Sequence, residues 1–156
     1  MTLDWMEILG RVGGAALIGA MIGLNRHLHH KFVGLRTLAL IGASASALVM
    51  AALYGADGQL HYDAMSRAIQ GILTGLGFIG GGVIMRRADD NKVHGLTTAA
   101  AVWTTAALGI LCGGGAWRLV VVLALITAFV LILGGPVEHR CRKLLHGDHD
   151  ERNGSS

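Results

Sequence analysis

The sequence predicts an all-α membrane protein with five transmembrane helices, and three observations carry that prediction. First, 53% of the 156 residues are hydrophobic and only 15% are charged, giving a mean hydropathy of +0.54. A chain of this length is expected to form one domain. Second, the apolar residues gather into five runs, at 8–24, 35–54, 68–85, 95–112 and 116–133. Each holds about 15–20 residues, close to the ~20 that cross ~30 Å of hydrocarbon. A soluble helical domain would need polar faces on its helices, and these runs carry almost none. Third, residues 71–82 read GILTGLGFIGGG, six glycines within an apolar run. Glycine weakens helices in water, but in lipid it lets helices approach backbone to backbone. A run this dense also permits an unwound or broken helix where protein surrounds it.

The first span follows Asp4 and Glu7 with no basic segment before it, so a cleaved signal peptide is not expected. Arg11 lies four residues after Glu7, and Arg67 four residues after Asp63 ahead of the third span. Both spacings suit a helical ion pair. The functional alternative is that Arg11 and Arg67 face the bundle interior. Gly10/Gly14, Gly19/Gly23 and Gly71/Gly75 have the small-xxx-small spacing of helix contacts, a motif too frequent to prove one. Between spans one and two, His27, His29 and His30 read as a solvated basic loop rather than a metal site. In the third span Gln70 is expected to bond another helix, and Phe78 to fill space over small residues or to plug a pore. His94, beside the fourth span, reads as an ordinary border residue. Pro136 follows the fifth span as a stop signal. Residues 1–136 are therefore assigned to the membrane domain and 137–156 to a polar, disordered tail. Cys112 and Cys141 fall on opposite faces, so no disulfide between them is expected.

Charge sets the orientation. Ten of the 13 basic residues fall on one side: Arg26, Lys31 and Arg36, then Arg86, Arg87 and Lys92, then Arg140, Arg142, Lys143 and Arg152. The positive-inside rule places the N-terminus outside and the C-terminus in the cytoplasm. Asp4, Glu7, Asp57 and Asp63 fall on the outer side.

A shift of 61 positions aligns residues 8–49 with 69–110 without gaps, with 12 of 42 pairs identical. Gly19/Gly80, Arg26/Arg87, Gly34/Gly95 and Thr37/Thr98 are among them. Composition alone would give roughly four or five. Spans one and two would then be repeated in parallel by spans three and four, about an axis along the membrane normal. A plain Gly/Ala packing pattern remains the simpler account.

The segments GLNR (23–26), GLRT (34–37), the glycine block from Arg67 to Ile84, and GLTTAAAVWTTAALGI (95–110) resemble the membrane domain of the MgtC/SapB family. The resemblance covers roughly residues 8–135. The family pattern has glutamate where Asn25 stands, and GAG where Gly80, Gly81 and Gly82 stand. Loss of that carboxylate bears on any role needing negative charge there. Longer relatives carry a soluble C-terminal domain for which this chain has no room. The resemblance implies a bacterial inner-membrane protein tied to low-magnesium growth, intracellular survival and virulence. It implies either magnesium uptake or regulation of other membrane proteins, the proton-driven ATP synthase among them.

Magnesium needs oxygen ligands, usually with one or two carboxylates, and no Asp or Glu lies inside any of the five runs. A cation path would have to rest on Ser44, Ser46, Thr104, Thr105 and backbone carbonyls. At the cytoplasmic border Arg26, Arg36 and Arg87 are placed with the amide ends of spans two and four. There they would favour an anion, a lipid phosphate or an acidic segment, or simply obey the positive-inside rule. Arg36 leads because it opens a span and its counterpart is Thr97. The functional candidates are Asn25, Arg26, Arg36, Thr37, Arg67, Gln70, Gly75, Gly77, Phe78, Gly80, Thr97 and Thr98. The sequence contains no nucleophile–base pair, cofactor motif or metal-ligand set. The expectation is therefore no enzyme, no cofactor and no nucleic-acid partner. Membrane lipids, further copies of the chain and a membrane protein such as the ATP synthase are the expected partners. A regulator is the leading reading. An ion or solute transporter or channel between the repeats, for magnesium or an anion, is its rival.

Overall fold

A computed structural model describes residues 4–28, 33–55, 59–87 and 90–146, without the side chains of 85–92 and 135–146. The elements are α1 (Trp5–Leu28), α2 (Leu35–Leu53), α3 (Tyr62–Val83), β1 (Met85–Arg87), β2 (Asp90–His94), α4 (Leu96–Gly113) and α5 (Trp117–His146). Among the described residues, four helical segments are long and apolar enough to cross a membrane: Trp5–Leu28, Leu35–Leu53, Leu96–Gly113 and Trp117–Gly134. The third expected span is not among them. Its helix has the length, at 22 residues, but Asp63, Arg67, Gln70 and its near-neutral glycines dilute its hydropathy.

The glycine block is helical without interruption as far as Val83, so the break that its composition allowed is not formed. The connection to α4 holds a feature the sequence reading did not include. β1 and β2 pair antiparallel, Met85 with His94 and Arg86 with Val93, and the register shifts between Arg86 and Arg87. This pairing satisfies backbone groups that a bare loop would leave to water. Pro136 does not stop the last helix, which runs on to His146. The cost is one lost backbone hydrogen bond and local crowding. The part of the expected tail beyond residue 146, with His29, His30 and Asp57, lies outside the described residues.

The chain divides into two compact units, Met1–Ala124 and Leu125–Ser156. The first contains α1 to α4, the β-hairpin and the opening of α5. The second contains the rest of α5. In the first unit α2 and α4 are central, each packing on the other and on both α1 and α3. Leu38, Val49, Val102, Leu108 and Cys112 are fully buried there, with Ser46 and Thr105. The α1 residues Leu9, Leu17, Met21 and Leu28 are all more than 60% exposed. Small and hydroxyl residues inside, large apolar residues outside, is the pattern expected of a bundle in lipid.

Backbone contact closes these crossings. A Cβ at Gly42 would lie 2.6 Å from the Ala15 carbonyl oxygen, and one at Gly113 would lie 2.6 Å from that of Ser46. The internal repeat is visible in the hairpin registers. Gly19 faces Leu38 between α1 and α2, and Gly80 faces Ala99 between α3 and α4, each partner displaced by 61 positions. Gly23 against Gly34 and Ile84 against Gly95 follow the same rule. α2 and α4 run parallel, since Gly109 meets Gly42 and Gly113 meets Ser46. Strict twofold symmetry would set Gly42 level with Trp103. It lies instead against Gly109, a slip of about 9 Å along the helix.

Candidate functional site

Two arginines of α1 fasten its ends to α4. Arg11 donates from Nη2 to Glu7 and from Nη1 to the carbonyl of Gly113 at 2.8 Å. Its guanidinium also stands 5.7 Å from the centre of the Tyr54 ring. Gly113 ends α4, so a cation there completes an orphan carbonyl and sits at the negative end of the dipole. The predicted Glu7–Arg11 pair is thus formed, and Arg11 does face inward. The second predicted pair is not formed. Among the described residues Asp63 and Arg67 make no ion pair. Both instead line an open depression of about 480 Å³ with Leu60, His61, Tyr62 and Ala64.

At the opposite end Arg26 is only 5% exposed, and its Nη2 donates to Oγ1 of Thr98 in the first turn of α4. Its Nε has no hydrogen-bond partner. Arg26 and Thr98 come from different repeats, and Arg11 and Gly113 match their spacing. The two links therefore fix an antiparallel register of α1 on α4 over about 22 Å. The sequence placed Arg26 at the cytoplasmic border with the amide ends of spans two and four, but did not foresee its burial. The signal available was Gly23, one turn earlier, which draws α1 into backbone contact with Leu35.

Of the other sequence candidates, Asn25 is half-buried, while Arg36, Thr37 and Thr97 are exposed around the starts of α2 and α4. The side chain of Arg87 lies outside the described ones. Arg67 and Gln70 are exposed on α3, and only Gly80 of the glycine candidates is buried. A Cβ at Gly80 would reach the Ala99 side chain at 3.9 Å, but at Gly71, Gly75, Gly77, Gly81 or Gly82 it would meet nothing within 4 Å. Phe78 projects from the same helix at 88% exposure. Among the described residues, the expected role of Phe78 as filler over small residues is therefore not realised. Among the described residues no group of three or more His, Cys, Asp or Glu could hold a metal.

A polytopic helical bundle, tied by arginine at both ends and carrying one bare glycine helix, defines the class. The chain belongs to the MgtC family, whose model matches residues 12–140. It is 41% identical over 125 residues to the SrpB protein of Synechococcus elongatus, covering 74% of this chain and 68% of that one. The SapB protein of Bacillus subtilis is 37% identical, over 76% of this chain and 53% of its own length. The MgtC protein of Salmonella typhimurium is 38% identical, over 67% of this chain and 42% of its own. The match therefore spans about half the length of the latter two. No solved structure matches.

Proposed function

We propose that this chain is a regulator in the bacterial inner membrane, acting on other membrane proteins through helix contacts under magnesium limitation or intracellular stress. The observation that carries the reading is the set of bare glycines on α3, with Gly71, Gly75 and Gly82 on one side of the helix and Gly77 and Gly81 on the adjoining one. In lipid a helix gains by close packing, and small residues are where a partner helix comes closest. The rival reading, transport between the repeats, is less well supported. The axis between α2 and α4 is occupied by Gly109 against Gly42 and Gly113 against Ser46, in backbone contact.

The test pairs growth with flux. Wild-type protein should support growth of a deletion strain in low magnesium. Gly75→Leu and Gly77→Leu should abolish that support without changing the unfolding midpoint, because both sites open onto free space. Liposomes holding wild-type protein should pass neither magnesium nor chloride nor phosphate. Flux that disappears in Arg36→Ala would overturn the regulator and restore a pathway at the arginine-rich end.

A further inference from the structure

We propose that the N-terminus of α4, backed by the buried Arg26, binds a phosphate group, carried by a lipid headgroup or by a soluble phosphate. The first backbone donor used within α4 is Ala99, which bonds to the Gly95 carbonyl. The amides of Leu96, Thr97 and Thr98 come before it and have no acceptor in the helix. Gly95 supplies no side-chain cap, and the first turn holds no acidic residue. α2 begins in the same way, with Gly34 as an uncapped start and no acid in its first turn. The two helices run parallel, so their positive dipole ends share one end of the bundle.

A helix N-terminus alone is an ordinary feature. What sets this one apart is the cation held against it. Arg26 is about 95% buried by its 5% exposure, donates into the first turn of α4 at Thr98, and keeps Nε without a partner. A guanidinium at the positive end of a dipole is electrostatically unfavourable. It is costly again when buried with no carboxylate, and among the described residues Arg26 has none. Neutralisation by an anion removes both penalties.

Access is open where it is needed. Leu96 is 58% exposed, and Thr97 is exposed next to it. A tetrahedral oxyanion can take the free amides, with Arg26 behind them. This reading does not depend on the regulatory role proposed above.

The experiment uses the full chain purified in detergent and, separately, in phosphatidylcholine nanodiscs with or without phosphatidic acid. Sodium phosphate is titrated against sodium chloride at matched ionic strength, with the unfolding midpoint as readout. Phosphatidic acid retention is counted by native mass spectrometry. Wild-type protein should be stabilised by inorganic phosphate if the ligand is soluble, or retain phosphatidic acid alone if it is a headgroup. Thr97→Asp puts a fixed anion at an exposed first-turn position. It should raise the ligand-free midpoint and weaken phosphate or phosphatidic acid binding about tenfold. Arg26→Gln should weaken binding as well, but Thr97→Asp stands by itself if that variant does not fold. The proposal is overturned if wild-type protein binds neither probe, or if Thr97→Asp binds them as wild type does.

Discussion

A single added methyl group distinguishes the packed glycines of this chain from the bare ones. At Gly19 it would overlap the backbone of Leu38, and the nearest part of Ala39 would be 3.1 Å away. Backbone cannot swing aside as a flexible side chain can, so relief requires α1 and α2 to separate. Gly19→Ala is therefore expected to destabilise the bundle by roughly 1–3 kcal/mol. Gly75→Ala meets nothing within 4 Å and should lie within about 0.5 kcal/mol of wild type. Unfolding in mixed micelles measures both, and equal losses would mean that the α1–α2 crossing is looser than described. Gly95 is a different case, since its φ of +94° belongs to a region that side chains rarely adopt. It lets the chain leave β2 and enter α4 within one residue.

Helix α1 is positioned by its two arginines as much as by its apolar surface. Arg26 and Thr98 form a direct bond between repeats, and a double-mutant cycle should find them coupled. Arg26→Gln, Thr98→Val and the double variant are expected to give a coupling of about 0.5–2 kcal/mol, the range of buried bonds in bilayer bundles. Additive losses would show that Arg26 is held by packing alone. The helices themselves were legible because lipid imposes one simple rule on them: about 20 apolar residues in sequence. That the two hairpins share a register agrees with the 61-residue repeat that aligns Gly19 with Gly80, although the register itself was not legible. The Glu7–Arg11 pair followed from helical spacing. Its counterpart Asp63–Arg67 did not form, although the spacing is the same, because spacing alone does not select rotamers at an exposed site. What spacing cannot reveal is long-range: Arg11 on the Gly113 carbonyl, and the burial of Arg26. Both depend on how hairpins dock, and the slip of α4 along α2 breaks the symmetry from which docking would be inferred. The short β-hairpin was hidden because Met85–Arg87 and Asp90–His94 carry charge rather than alternating apolar residues.

For the whole molecule, the remaining question is which end faces the cytoplasm, and two independent features bear on it. α2 and α4 begin at the same end of the bundle, as their parallel contacts require. The basic residues Arg26, Arg36, Arg86, Arg87 and Lys92 cluster in sequence around those starts. Leu60, in the α2–α3 connection, belongs to the opposite end and is paired with Tyr54 across an isolated bridge. The positive-inside rule counts short loops of this kind most heavily, so the α2 and α4 starts are expected to face the cytoplasm. Single cysteines at Leu60 and Thr97 decide the matter, because Leu60 is 41% exposed and Thr97 is exposed. Cys141 is first replaced by serine, while Cys112 can stay because it is fully buried. With a membrane-impermeant maleimide, Leu60→Cys should react from the outer face and Thr97→Cys only in inverted vesicles. The reverse pattern would place the arginine-backed end of α4 outside, facing periplasmic rather than cytoplasmic phosphate. Labelling of both from one face would mean that α3 does not cross between them. The modest hydropathy of that helix makes this the most informative failure.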